Sequence, residues 1–253
     1  MAMSDNKICL INVWGIKFNL LSLQDFIDVI HLRLQSGRTP IHITGINPET
    51  VVHASKDKII HQAILESDLV NIDNNLVLWL LRMSGYKAPE RVATPDLFED
   101  LIKLANKKQY KVFVLGSKES VLKTALKNIK SDYPKLRIEG HHGYYDREKE
   151  RSIVELINNF TPDMLFIALP SPEKESFILK YKYSVKAQVF LGVGGAIDWR
   201  AGLVKRPSGI FKKLPLEGLF RSLQSPMNYG KRYLTFYPAF FKIVIKSIIR
   251  KNK

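Results

Sequence analysis

One pattern recurs through the first 200 residues. A short apolar run rich in β-branched side chains ends in a small or polar loop, and a stretch with helical spacing follows. Ile41 to Thr44 leads into Gly45-Ile46-Asn47-Pro48, then Glu49 to Ser55. Leu69 to Ile72 leads into Asp73-Asn74-Asn75, then Leu76 to Met83. Val112 to Leu115 ends at Gly116-Ser117, before an amphipathic Glu119 to Ile129. Met164 to Leu169 ends at Pro170-Ser171-Pro172, before Glu173 to Lys182, and Val189 to Val193 ends at Gly194-Gly195. Strands alternating with helices predict parallel βαβ units. Uninterrupted apolar strands predict a sheet covered on both faces. The expected fold class is α/β, a Rossmann-like, mostly parallel sheet with helices on both sides.

Open parallel sheets bind ligands beyond the carboxyl ends of their strands. Here those ends carry Asn47, Asp73, Gly116, Ser117, Ser171, Gly194 and Gly195, groups suited to phosphate or sugar. From Leu203 the pattern changes, and Arg206-Pro207, Pro215, Pro226 and Pro238 divide the chain into short pieces. The last piece, Phe236 to Lys253, spaces Lys242, Lys246 and Arg250 by four, with Phe240, Phe241, Val244, Ile245, Ile248 and Ile249 around them. An apolar face beside a basic stripe suits a helix lying on an anionic membrane surface. A helix packed on the main domain with snorkelling lysines would give the same pattern. The expected division is a catalytic domain over residues 1–202 and a basic amphipathic appendage over 203–253.

Charge sharpens this division. The chain of 253 residues has 39 Lys and Arg against 24 Asp and Glu, net +15. Residues 201–253 hold twelve of those bases and one acid, Glu217, so +11 of the charge sits there. Such a balance calls for anionic partners. A nucleic-acid-binding protein is one rival reading. Aromatic-interleaved RNA-binding strands are missing and the charge is gathered at one end beside apolar residues, so no nucleic acid is expected. No apolar run approaches the roughly 20 residues of a membrane span, and Ile8 to Trp14 is short and lacks a small-residue cleavage site. The expected location is cytoplasmic. A single cysteine, Cys9, excludes intrachain disulfides and multi-cysteine metal sites.

Several groups could carry chemistry. Gly192-Val193-Gly194-Gly195 follows a strand and could offer backbone N–H groups to a phosphate, or make a plain turn. It matches neither the dinucleotide fingerprint nor a Walker loop. Asp73 ends an apolar strand and could serve as a general base toward a hydroxyl, or simply cap the next helix. Asp198 and Glu175 are rival carboxylates. Arg91 could stabilise a diphosphate leaving group, or pair with Glu90 or Asp96. No metal is expected, because neither H-E-x-x-H nor D-x-D occurs. Ser117 and Ser171 lack the G-x-S-x-G setting of a serine hydrolase.

Taken in order, Thr44-Gly-Ile-Asn-Pro-Glu49, Asn71-Ile-Asp73, Glu90-Arg91-Val92, Asp96-Leu-Phe98 and Val112-Phe-Val-Leu-Gly116 form a specific series. It continues through Gly143-Tyr144-Tyr145, Ser171-Pro172-Glu-Lys-Glu175, Gly192-Val-Gly-Gly-Ala196, Asp198, Lys205-Arg206-Pro207, Phe220-Arg221 and Arg232-Tyr233. In these motifs, from about Thr44 to Tyr233, the chain resembles the WecG/TagA/CpsF family of bacterial glycosyltransferases. The resemblance implies a GT-E type fold and an inverting, metal-independent transfer. The sugar would pass from a UDP-sugar donor to an acceptor on undecaprenyl pyrophosphate, with no cofactor, at the cytoplasmic face of the membrane. It implies Asp73 as base, Arg91 at the leaving group and Asn47 near the sugar. Substrate contacts are further expected at Thr44, Gly116, Ser117, Tyr144, Ser171, Lys174, Glu175, Gly192, Gly194, Gly195, Asp198, Arg206, Arg221 and Arg232, with the Gly116-Ser117 and Gly192–Gly195 loops at the carboxyl edge of the sheet offering backbone N–H groups to the UDP diphosphate, and a homo-oligomer is left open. A basic C-terminal segment would close the site and dock on lipid.

The chain departs from the family pattern at several places. Asn74 stands where Asp-Gly is common, and Lys174 where Pro-x-Gln-Glu is common. Gly45 occupies the position, two before the asparagine, where many members have threonine. Ala93-Thr94-Pro95 replaces a common glycine after Arg-Val. A non-catalytic lipid-docking scaffold is the reading these departures keep open.

Overall fold

The computed structural model describes residues 10–37, 39–204 and 231–251. Arg206 and Arg221, with Pro207, Pro215 and Pro226, lie outside the described residues.

The chain opens with a hairpin that the strand-and-helix pattern did not register. Strands β1 (Leu10–Val13) and β2 (Ile16–Asn19) pair antiparallel through Trp14-Gly15. Both turn residues have positive φ, 57° and 75°, as a two-residue hairpin turn matching strand twist requires. Helix α1 (Leu23–Ser36) follows, its start fixed by a reciprocal capping box between Ser22 and Asp25.

The main sheet then builds through β3 (Ile41–Ile46), α2 (Pro48–Ala54), α3 (Lys58–Leu65), β4 (Leu69–Ile72), α4 (Asn75–Met83), α5 (Thr94–Lys108) and β5 (Lys111–Gly116). It continues with α6 (Glu119–Asp132), β6 (Arg137–His141), α7 (Glu150–Phe160), β7 (Met164–Ala168), α8 (Glu173–Tyr181), β8 (Val189–Gly192) and α9 (Ala196–Arg200). The order across the sheet is β4-β3-β8-β7-β5-β6, all parallel. The α/β, Rossmann-like expectation holds. Each strand and helix read from the pattern forms, with no end displaced by more than three residues.

Alternating side chains feed the two faces. Ile41, Ile43, Val112, Val114, Phe166 and Leu191 pack with α1, α5, α6 and α9. On the other face, Phe113, Leu115, Leu165, Ile167 and Phe190 meet α7 and α8. A third cluster joins the hairpin, β4 and α2 to α4.

The C-terminal helix α10 (Lys231–Lys251) completes that third cluster. It runs straight through Pro238, which the sequence reading took as a break. It packs on α2, and Phe240 and Val244 are buried, with the Phe240 ring edge-on to Trp14 at 5.6 Å. Phe240 and Val244 are therefore core residues and not part of a free apolar face. Phe241, Ile245 and Ile249 remain exposed, beside exposed Lys242 and Lys246.

The even positions of β3 interrupt this apolar packing. His42 is buried, and its ring nitrogens face Thr44 Oγ1 at 2.9 Å and Ser67 Oγ at 3.2 Å. Its backbone N–H donates to Asp68 Oδ2, which also accepts from Lys182 Nζ. Burial, with the Lys182 and Lys174 ammonium groups nearby, pushes the imidazole down to about 3. Below about pH 6.5, the ordinary value, the unfolded chain takes up a proton here that the folded chain refuses. The stability this group supplies is thus complete above pH 6.5 and drains away toward pH 3. Denaturant titrations of His42→Gln should show a shallower loss of stability between pH 6.5 and 4 than the parent; parallel curves would place the acid sensitivity elsewhere.

Candidate active site

A cavity of about 600 Å³ opens at the carboxyl ends of β4, β3, β8 and β7. It sits where the connections diverge, since β3 leads into α2 and α3 on the face of α8 while β8 leads into α9 on the face of α5 and α6. A doubly wound sheet leaves its crevice at such a point.

Asp73 marks one wall. Its backbone N–H donates to Ile46 O, extending the β3–β4 ladder by one bond and fixing where the side chain emerges. Oδ1 accepts from the Thr94 backbone N–H at 2.6 Å, and Oδ2 faces Asn47 Nδ2 at 3.4 Å. Asn47 is held in turn, because its Oδ1 caps α2 by accepting from the Thr50 N–H and hydroxyl. Asp73 does not cap the next helix, α4; its bond goes to the first N–H of α5. Asn74 caps α4, its Oδ1 accepting from Leu76 N at 2.8 Å. The departure at Asn74 thus supplies a cap and leaves the aspartate to the cavity.

The opposite wall holds Gly192, Val193, Gly194, Gly195 and Asp198 from β8 and α9, and Ser171, Lys174 and Glu175 from the start of α8. Glu175 is buried, and its Oε1 accepts from Ser171 Oγ at 2.9 Å and pairs with Lys174 Nζ at 3.0 Å. Its Oε2 has no hydrogen-bond partner among the described residues. Gly192 allows the lysine in, since a Cβ there would lie 2.5 Å from Lys174 Cδ. Burial raises the Asp198 carboxyl above its ordinary range.

Thr44 also lines the cavity, hydrogen-bonded to His42 and Ser67. Phe236 and Tyr237 of α10 close one side, with Phe236 against the His53 ring at 4.9 Å. The appendage thus reaches the site with two aromatics. The side chain of Arg232, on the same helix, lies outside the described residues.

Four sequence candidates do not line this cavity. Gly116, Ser117 and Tyr144 belong to the β5–β6 end of the sheet, beyond β7. The Ser117 N–H donates to Ala168 O, and its carbonyl accepts from Gly143 N. Gly116, at φ 130°, sits where a Cβ would meet the Ala168 backbone at 2.3 Å. This loop is used for packing, and the Ser117 N–H is already spent. Arg91 also stands off the wall, its guanidinium 3.9 Å from Asp96 Oδ2. Among the described residues, no group of three or more His, Cys, Asp or Glu could hold a metal ion.

Sequence reasoning missed His42, Thr94, Phe236 and Tyr237 as site residues. Two-residue periodicity puts His42 on the face of Thr44, a signal that was available. Nothing local marked the aromatics, whose place depends on how α10 docks.

Comparison with known proteins agrees with this geometry. The sequence profile of the Glycosyl transferase WecG/TagA/CpsF family matches residues 11–253. The chain belongs to this family. It is 30% identical over 242 residues, 96% of this chain and 91% of the other, to an N-acetylglucosaminyldiphosphoundecaprenol N-acetyl-beta-D-mannosaminyltransferase of Bacillus subtilis (strain 168). A protein of the same name from Staphylococcus aureus (strain MW2) is 26% identical over 94% of this chain and 92% of its own. One from Bacillus spizizenii is 30% identical over 88% of each. This WecG/TagA/CpsF member is a glycosyltransferase, and its cavity is the candidate active site.

The separation of Asn74 from Asp73 is directly measurable. Asn74→Ala should cost about 1 kcal/mol of stability through the lost cap. Asp73→Asn should leave the α4 cap intact. Equal destabilisation by both, in chemical denaturation, would contradict this assignment.

Proposed function

We propose that the protein transfers a sugar from a UDP-sugar to an acceptor carried on undecaprenyl pyrophosphate, with inversion and without a metal ion. The relatives named above act on a GlcNAc-bearing lipid diphosphate by name, which supports this acceptor class. The observation that carries the mechanism is the Asp73 carboxylate, presented to the cavity by Thr94 N–H and Asn47.

In this reading an acceptor hydroxyl attacks the sugar C1. Its proton passes to Asp73, the new O–C1 bond forms, and the C1–O bond to the diphosphate breaks with UDP leaving. A base must stand away from the leaving group. Asp73 sits at the end of β4, two strands from the β8 loop, whereas Asp198 and Glu175 share the glycine wall and Glu175 is already paired with Lys174. We assign the diphosphate to that wall, where Gly194 and Gly195 backbone and the Lys174 ammonium can meet its charge. As part of this proposal Arg221 and Arg232 keep the reach to the donor diphosphate and Arg206 the substrate contact expected from the sequence, while Arg91, which stands off the cavity wall, would reach the leaving group only by moving away from Asp96. Asp73→Asn should retain UDP binding by calorimetry and lose transfer by roughly 10²–10⁴-fold; near-normal turnover would move the base to Asp198 or Glu175.

We further assign membrane docking to α10. No helix among the described residues is long and apolar enough to cross a membrane. Leu234, Phe241, Ile245 and Ile249 are 80%, 40%, 55% and 55% exposed, enough apolar surface to enter a lipid interface beside Lys242 and Lys246. Basic residues at an anionic surface contribute about 1 kcal/mol each. Lys242→Ala/Lys246→Ala should therefore weaken flotation with phosphatidylglycerol vesicles by roughly thirtyfold at low salt, and Ile245→Ser/Ile249→Ser should weaken it at any salt. Flotation indifferent to both pairs would leave α10 as a packing element alone.

A further inference from the structure

Gly45 lies in β3 beside the catalytic wall, and its missing side chain is not empty space. A Cβ built there would fall 2.2 Å from Thr94 Oγ1, 3.1 Å from Asn71 Nδ2 and 3.3 Å from Asp73 Cβ. The Thr94 hydroxyl thus occupies the volume in which a residue-45 side chain would begin, beside the carboxylate. Thr94 is itself buried, lines the cavity, and gives its backbone N–H to Asp73 Oδ1. Its hydroxyl oxygen accepts from Asn71 Nδ2 at 3.3 Å. Asn71 is fully buried and anchored by a 2.7 Å bond to Val92 O, so this partner is fixed.

We propose that Thr94 is a substrate-positioning residue for the transfer, exchanged in space with position 45. One residue performs two tasks: its N–H orients the Asp73 carboxylate, and its hydroxyl donates to a hydroxyl-bearing acceptor sugar beside that carboxylate. Asn71 fills an acceptor site of Thr94 Oγ1, which directs the hydroxyl's own proton toward a ligand oxygen. A threonine is stiff about χ1, so the group is preorganised in the wall. Two departures noted in the sequence, Gly45 for threonine and Ala93-Thr94-Pro95 for a glycine-containing stretch, meet at this one point. The wall keeps a single threonine-sized group, delivered from α5 in place of β3.

This rests on the glycosyltransferase reading above. Its test is a set of variants at the two positions, with stability and acceptor kinetics measured separately. Gly45→Ala should lower the melting temperature in the parent and leave it nearly unchanged in a Thr94→Gly background, where the nearest remaining atoms are 3.1 and 3.3 Å away. Thr94→Ala retains the backbone clamp on Asp73 and removes the hydroxyl together with the γ-methyl, two losses that Thr94→Ser separates. It should lower kcat/KM for the lipid-linked acceptor about five- to tenfold, the size of one neutral hydrogen bond, while the KM for the UDP-sugar stays put. Thr94→Ser should recover at least half of that loss. Gly45→Thr/Thr94→Gly should transfer faster than Gly45→Thr alone.

Thr94→Ala with unaltered acceptor kinetics, or a double variant no better than Gly45→Thr, would overturn the proposal while the parent's transfer upheld the reaction. A parent that transferred no sugar from any UDP-sugar would instead refute the reaction, and the hydroxyl's role with it. Additive melting effects of Gly45→Ala and Thr94→Gly would refute the spatial exchange independently of any activity.

Discussion

A single hydrogen bond ties the catalytic wall together: the Thr94 backbone N–H to Asp73 Oδ1, at 2.6 Å. It joins the beginning of α5 to the end of β4, across the Ser84–Ala93 connection. Such a bond to a carboxylate is charge-assisted. The neighbouring groups are arranged to leave it undisturbed. Asn74 takes the capping duty that Asp73 would otherwise serve, and Asn47 spends its oxygen on α2 while turning its amide to Asp73. Gly45 stays without a side chain so that Thr94 fits. The carboxylate is thereby fixed between the start of α5 and the Asn47 amide.

The rest of the molecule is organised by strand order. With β3 and β8 adjacent, the ends of β4, β3, β8 and β7 share one crevice and those of β5 and β6 stand apart. This explains why Asn47, Asp73, Ser171 and Gly194 converge while Gly116, Ser117 and Tyr144 do not. A sequence pattern reveals that strands exist and where they end, because apolar runs and polar loops are local. It does not reveal which strands are neighbours, since that depends on the packing of whole helices. The carboxyl-edge rule therefore named the right kind of residue at every strand and could not choose among the strands.

Other gaps have equally local causes. Trp14-Gly15 joins two four-residue strands too short to show alternation, so the hairpin passed as an isolated apolar run. Pro238 reads as a breaker, yet a helix anchored by buried Phe240 and Val244 accommodates it. The α10 stripe was legible as amphipathic. Its division into a packed side and an exposed side appears only once α2 and Trp14 are in place. That division lets one helix meet the core through Phe240 while Phe241, Ile245 and Ile249 face outward, and lets Phe236 and Tyr237 reach the cavity. Under the proposed membrane docking, attachment and closure of the site would be coupled through one element.

The central claim is that the crevice between β3 and β8 holds the donor diphosphate on its glycine wall and keeps the Asp73 wall for the acceptor. A crystal structure of the full chain with UDP tests it most directly. The account predicts phosphate oxygens within hydrogen-bond reach of the Gly194-Gly195 backbone and Lys174 Nζ, with the Asp73 carboxylate still bound to Thr94 N–H. Phosphates seated instead at Gly116-Ser117, or directly against Asp73, would contradict it.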